Sequence, residues 1–173
     1  RLRRASGRGG GALVIPLVVV GAAGHMGRAV ELAAREAGDF EVRARVVRSG
    51  AGHKLEQNAG PWIEDASAAI RPGDLVIGVS SPPGLRAVAA FCGERGAALV
   101  SGTTGLGADD ETALVAASSR VPVLHAANFS LGVAALQRAL GAALAAVPAS
   151  WDVEIVERHH RRKLDSPSGT ALT

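Results

Sequence analysis

The chain has 173 residues, 47% of them hydrophobic, enough to bury one sizeable core, or one domain and part of a second. Its net charge is +3, but the basic residues fall in two local clusters, one in the first eight residues and one from Arg158 to Lys163. With no aromatic side chains interleaved as stacking platforms, these exclude a nucleic-acid-binding stripe, and a lone cysteine, Cys92, excludes a disulfide framework or a Cys-rich metal site within the chain.

In chain order, RLRRASGRGGG followed by ALVIPLVVVGAAG imitates a signal peptide. The apolar run is too short to cross a membrane as a helix and merges into a glycine motif with its own explanation. Residues 1–12 are therefore expected to be a tail that is disordered or foreign to the fold. The single cysteine suits a reducing, cytoplasmic setting. The only Met is Met26, and the chain stops at Ala171-Leu172-Thr173, where a helix is expected to begin. Both ends read as the ends of a fragment.

Ile15 to Val20 is a continuous apolar, mostly β-branched run, the pattern of a strand buried on both faces. Gly21 to Gly27 turns the chain into a helix over Arg28 to Ala37, ended by Gly38. Strands are predicted at Phe40–Val47, Asp74–Val79, Ala97–Ser101 and Val121–Leu124, and helices at Asp65–Ile70, about Leu85–Arg95 and Asp109–Ser118. A polar loop occupies 49–61, and Ser-Ser-Pro-Pro-Gly makes a turn before the third helix. Alternating strands and helices predict a doubly wound parallel sheet with its ligand-binding loops on one edge. A long Ala/Leu-rich helix over Ser130–Val147 and a strand of a different sheet over Trp151–Val156 follow. The expected organisation is a Rossmann-type α/β domain over 13–128 and the incomplete start of an α+β domain over 129–173.

Gly21, Gly24 and Gly27 form G-x-x-G-x-x-G between strand and helix. Glycines there permit a tight turn, close approach of a pyrophosphate and close helix–strand packing, while the helix N-terminus offers free N–H groups to phosphates. A tight turn without a ligand is the plainer alternative; the position after the first strand favours a dinucleotide. At the end of the second strand stand Val46, Val47, Arg48 and Ser49, with no acid to receive the adenosine ribose. Arg48 can instead meet a 2′-phosphate, which leans towards NADPH; a solvated loop arginine is the alternative.

The run Glu157 to Thr170, ERHHRRKLDSPSGT, is the most specific feature. Adjacent histidines followed by a lysine make a cationic site suited to a dianion. A helical turn would put His159 and Lys163 on one face. Ser166 and Pro167 read as N-cap and first helical residue, which would turn the N–H groups of Gly169 and Thr170 outward to an anion. Spacing alone leaves two readings, this site or an exposed basic loop before an ordinary helix.

Four stretches taken in order, VVVGAAGHMGRAV, SGTTGL, HAANFSLGV and EIVERHHRRKLDSPSGTAL, span residues 18–172. They make the chain resemble the 4-hydroxy-tetrahydrodipicolinate reductase (dihydrodipicolinate reductase) family of the diaminopimelate route to lysine. The resemblance implies NAD(P)H-dependent reduction of 4-hydroxy-tetrahydrodipicolinate, a small dicarboxylate, to tetrahydrodipicolinate with loss of water. It implies that Gly21, Ala22, Ala23, Gly24, His25 and Met26 hold the pyrophosphate. Gly102, Thr103 and Thr104 would lie along the cofactor towards its nicotinamide, and Ala126, Ala127, Asn128 and Phe129 would finish that pocket at a domain hinge. His159 would be the general acid/base and Lys163 the proton donor; His160, Gly169 and Thr170 would hold the substrate carboxylates. A lysine among like charges is a better acid near neutral pH, and clustered positive charge counters a dicarboxylate. The sequence departs from the family at Val47, where many members carry an acid, and at Gly78-Val79-Ser80, where Asp-Phe often precedes Ser or Thr. Family members continue past Thr173, completing a second sheet that builds a homotetramer, so the chain alone is expected to be weakly active or inactive. Neither a nucleic acid nor a membrane is an expected partner.

Two other readings are weighed. A different small-substrate dehydrogenase, of the amino-acid dehydrogenase type, would share the glycine loop but not the His-His-x-x-Lys run with SPSGT. A non-catalytic NAD(P)-sensing module would bind cofactor without turnover and would have no use for His159 and Lys163 beside an anion-binding turn.

Overall fold

The computed structural model describes residues 14–48, 62–159, 161, 167, 168, 170 and 171. Its elements alternate along the chain: β1 (Ile15–Val20), α1 (His25–Ala37), β2 (Phe40–Val46), β3 (Trp62–Ile63), α2 (Ala66–Ala69), β4 (Leu75–Gly78), α3 (Pro82–Arg95), β5 (Ala98–Ser101), α4 (Ala108–Ser118), β6 (Val123–His125) and α5 (Leu131–Ala146). The strands form one sheet in the order β3-β2-β1-β4-β5-β6, every neighbouring pair parallel. This is the doubly wound dinucleotide-fold order, reversing between β1 and β4, as the alternation predicts.

β1 is central, so both its faces are covered. Val18 and Val20 join the larger core with α2, α3 and α4 through Ile70, Leu85, Val88, Cys92 and Leu114. Leu17 and Val19 face the other way, onto Ala34 of α1. Beside them β2 carries an irregularity: Leu17 pairs with Val42 and Val18 with Ala44, leaving Arg43 unmatched. One extra residue reverses the alternation of sides. Phe40 and Val42 pack in the α1 cluster, while Ala44 and Val46 pack in the larger core. The odd residue, Arg43, reaches out to the Asp74 carboxylate and the Ala69 carbonyl.

Several boundaries differ from the sequence expectation. α1 starts at His25, not Arg28, because Gly24 is extended and caps the helix. Gly27 thus lies inside it, where a Cβ would come within 2.6 Å of Ala22 Cα. α3 starts at Pro82, with Ser81 as N-cap and prolines in its first turn, so Ser-Ser-Pro-Pro is a helix start. The edge strand β3 was not foreseen; two residues carry no periodicity. Trp151–Val156 is not a strand: Trp151, Val153, Ile155 and Val156 are exposed. A strand is stable only when paired, and no described strand lies alongside.

Among the described residues α1 is the helix packed on its face of the sheet; Leu75 and Ile77 there stay half-buried, and Leu124 is exposed. α5 has no buried residue, and Leu131, Leu136, Leu140 and Leu144 all face out. Among the described residues no helix is long and apolar enough to cross a membrane.

Candidate active site

A cleft of about 1000 Å³ opens at the carboxyl ends of β1, β2 and β4, where doubly wound sheets receive ligands. Gly21, Ala23 and Gly24 line it, with Val47 and Arg48 after β2, Glu64 and Asp65 before α2, and Ser80, Ser81, Gly84 and Phe91 after β4. Gly21 has φ +83°, and a Cβ there would lie 2.9 Å from the Val79 carbonyl carbon; glycine is required on both counts. The first intrahelical bond of α1 runs from Arg28 N–H to the Gly24 carbonyl, so the N–H groups of His25, Met26 and Gly27 precede it. No side chain caps this end and no acid lies in its first turn, which suits an anion.

The cleft fits a dinucleotide on a further count. Among the described residues the Ser80 and Thr103 hydroxyls are buried without a hydrogen-bond partner, a state that costs free energy and that a polar ligand would relieve. Ser80 lines the cleft itself. Neither it nor Phe91 carries a recognisable motif; position after β4, at the switch in strand order, was the available signal.

The predicted cofactor residues divide by placement. Gly21, Ala23, Gly24 and Arg48 line the cleft. The Ala22 side chain is packed in the α1 cluster, leaving its backbone alone to face a ligand. His25 and Met26 are exposed. Val47 is buried, so the position that could carry an acid is committed to the core. Ser67 donates its hydroxyl and its N–H to Asp65, each at 2.7 Å, and thereby holds that carboxyl below its ordinary range.

Beyond Val79 the edge continues without a break. A Cβ on Gly102 would meet Val79 Cγ1 at 3.3 Å and Phe129 Cε2 at 3.1 Å, so the Phe129 ring closes over Gly102. Thr103 is buried and Thr104 exposed. The Ala126 N–H bonds the Ser101 carbonyl, extending the ladder and bringing Ala126, Ala127 and Asn128 to the same edge. Asn128 Oδ1 accepts from Ser130 N–H at 2.7 Å, at the start of α5. Its Nδ2 donates to Thr170 Oγ1 at 2.9 Å. The Gly102 and Asn128 segments therefore meet the end of the basic run.

Within that run His159 is not helical; the turn expected to join it to Lys163 runs through residues outside the described ones. Its Nδ1 stands 3.8 Å from Glu157 Oε2. Glu157 Oε1 accepts from Ser168 N–H at 2.8 Å, and the Ala171 N–H reaches both the Ser168 carbonyl and its hydroxyl. Ser168 thus organises this turn. Lys163, His160 and Gly169 lie outside the described residues, as does Ser166, whose predicted N-cap role falls there too.

A family profile described as the N-terminus of dihydrodipicolinate reductase matches residues 15–129, and one described as its C-terminus matches 132–173. The 4-hydroxy-tetrahydrodipicolinate reductase of Stenotrophomonas maltophilia strain K279a is 43% identical over 162 residues, covering 91% of this chain and 66% of that protein. The enzyme of the same name from Thermomicrobium roseum is 40% identical over 163 residues, covering 92% and 63%. The chain thus spans slightly less than two thirds of the length of these relatives. A solved structure of a dipicolinate-bound dihydrodipicolinate reductase from Paenisporosarcina sp. TG-14 matches with a TM-score of 0.70 at 23% identity, over 92% of this chain and 63% of that one; at that identity the likeness speaks for the fold.

Proposed function

The chain belongs to the dihydrodipicolinate reductase family, and from that premise we propose that the intact protein reduces 4-hydroxy-tetrahydrodipicolinate to tetrahydrodipicolinate with loss of water, using NADPH or NADH. The observation that carries the reading is the unbroken edge from the glycine turn through Val79, Gly102 and Phe129 to the Asn128–Thr170 hydrogen bond. It supports a nucleotide cleft and a substrate-holding turn side by side on one scaffold.

In this reading residues 13–128 form the nucleotide-binding half, and residues from 129 onward begin the half that holds substrate and builds a homotetramer. The uncovered apolar side chains of α5 support such assembly. The place of work is the cytoplasm, in line with a buried free thiol at Cys92.

The backbone of Gly21 to Met26 and the open end of α1 hold the pyrophosphate. Gly102, Thr103 and Thr104 follow the cofactor to its nicotinamide, and Ala126 to Phe129 close that pocket, with Phe129 excluding water. The nicotinamide supplies the hydride. Loss of the substrate hydroxyl creates a conjugated C=C–C=N system, with His159 as general acid/base. Hydride arrival leaves negative charge, and Lys163 delivers the proton that quenches it. His160 and the N–H groups of Gly169 and Thr170 hold the two carboxylates.

Arg48 in the cleft wall and the buried Val47 favour NADPH; the acids Glu64 and Asp65, which also line the cleft, moderate the preference. Arg48→Ala is expected to lower the NADPH-to-NADH ratio of kcat/KM about tenfold, the loss of one charge-assisted contact. An unchanged ratio would remove Arg48 from cofactor choice. The activity itself is tested by NADPH oxidation with freshly generated substrate, using protein from the full reading frame. Lys163→Ala should cut kcat about 100-fold or more; turnover at the unmodified rate sinks the assignment of the proton donor.

A further inference from the structure

Glu157 lies outside every role given above, yet it is an acid at the head of the cationic stretch from Arg158 to Lys163. A carboxylate beside a site for a dianion opposes binding by simple charge, so its presence there calls for a positive reason. The geometry offers two. Oε1 accepts the Ser168 N–H at 2.8 Å, and Ser168, itself buried, receives the Ala171 N–H on its carbonyl at 2.9 Å and on its hydroxyl at 3.2 Å. The turn that presents Thr170 is thus held at its first residue by Glu157 and at its third by Asn128 Nδ2. The Ser168 N–H is consumed by this bond and is unavailable to a substrate, which assigns anion contacts to the residues after it. The second carboxylate oxygen, Oε2, stands 3.8 Å from His159 Nδ1. At that separation the two form an electrostatic pair without a direct hydrogen bond, and the negative charge favours the ring orientation that turns Nδ1 to Glu157 and leaves Nε2 facing away for chemistry.

From this arrangement we infer that Glu157 is a positioning residue that couples substrate binding to proton transfer: one oxygen sets the 168–171 turn and the other orients the His159 imidazole. The inference rests on the reductase reading above and adds a residue to it. Its two parts separate by chemistry. Glutamine keeps a carbonyl oxygen for the Ser168 N–H but carries no charge towards His159; alanine keeps neither.

The test uses protein from the full reading frame with Glu157→Gln and Glu157→Ala, measuring kcat and KM, the Kd of dipicolinate (pyridine-2,6-dicarboxylate) by calorimetry, and the Kd of NADPH. Glu157→Gln is expected to lower kcat about tenfold while leaving KM and the dipicolinate Kd within about twofold of wild type. Glu157→Ala is expected to show the same loss in kcat and, in addition, about a tenfold rise in KM and in the dipicolinate Kd, from loss of a charge-assisted bond. The NADPH Kd should not move in either. Glu157→Gln with wild-type kcat, or the two variants alike in dipicolinate affinity, overturns the inference. Should the alanine variant not fold, the glutamine variant decides alone: wild-type kcat, or weakened dipicolinate binding, overturns it. A wild-type protein that turns over while Glu157→Gln matches it defeats only the role of Glu157. A wild-type protein that neither turns over nor binds dipicolinate defeats the reductase reading and this inference with it.

Discussion

At the scale of single residues, the site depends on atoms that are missing as much as on atoms that are present. Gly27 has room for no side chain: a Cβ would press on Ala22 Cα and on the Gly21 backbone, which cannot yield as a side-chain tip can. Gly27→Ala should therefore cost at least about 2 kcal/mol and weaken nucleotide binding, read by urea unfolding and cofactor titration. A stability loss below about 0.5 kcal/mol would mean the turn relaxes freely. Ser80 is the opposite case, since its hydroxyl is buried with no partner. Ser80→Ala should leave unfolding unchanged or slightly improved, yet raise the nucleotide Kd about fivefold, the worth of one hydrogen bond. An unaltered Kd would show that the hydroxyl does not meet the ligand. The glycines were legible because their need is local. Ser80 was not, because an orphaned hydroxyl is a property of burial, which spacing does not encode.

At the scale of elements, α1 is tied to β2 by charge as well as packing. Arg45, buried in β2, donates to both oxygens of Glu31 at 2.9 and 2.6 Å, and Arg35 adds a third bond to the same carboxylate. The Arg45 hydrogen bond, followed by the Arg45 and Arg35 charges, outweighs burial and holds the Glu31 carboxyl below its ordinary value of 4.5. A carboxylate with a lowered folded pKa contributes stability above its unfolded pKa, and that contribution fades as pH falls through the folded value. Glu31→Gln should thus unfold about 2 kcal/mol more easily at neutral pH, with the deficit shrinking below the ordinary carboxylate value. A deficit constant between neutral and acidic pH would rule out the charge as its source. The central elements were readable from the sequence because their apolar runs and glycine stops, such as Ile15–Val20 and Gly38, report local preferences. β3 and Trp151–Val156 went astray for the same physical reason in opposite directions. Pairing with β2 makes a strand of two residues, and lack of a described partner leaves Trp151–Val156, despite its alternating apolar side chains, unpaired. The ends of the basic run resisted reading for a related cause: the described contacts there, Glu157 with Ser168 and Asn128 with Thr170, join residues far apart in the sequence.

At the scale of the whole molecule, burial is uneven. The core on the α3 and α4 side is closed, and Cys92 within it is fully buried; burial, with a smaller push from Asp74, raises its thiol to about 12. Since the thiolate is the reactive form, thiol reagents should label Cys92 only as the protein unfolds. Fast labelling in native buffer would contradict the closed core. The other side is open at Leu124, and α5 presents further apolar surface. The 173-residue chain by itself should bind a hydrophobic dye such as ANS strongly; dye fluorescence equal to that of buffer would show that these surfaces find cover. The unmatched Arg43 carries a last consequence. Because β2 changes sides there, its two halves are written in different frames with respect to the sheet. Loss of that one codon would make Leu17–Val42 and Val18–Ala44 consecutive pairs, so Ala44 and Val46 would keep the larger core and Arg45 its place beside Glu31, while Asp74 would lose the Arg43 guanidinium. A chimera spliced at that point from two relatives would keep its interior with or without the extra residue, but only with it would the end of α2 and the start of β4 stay tied to β2.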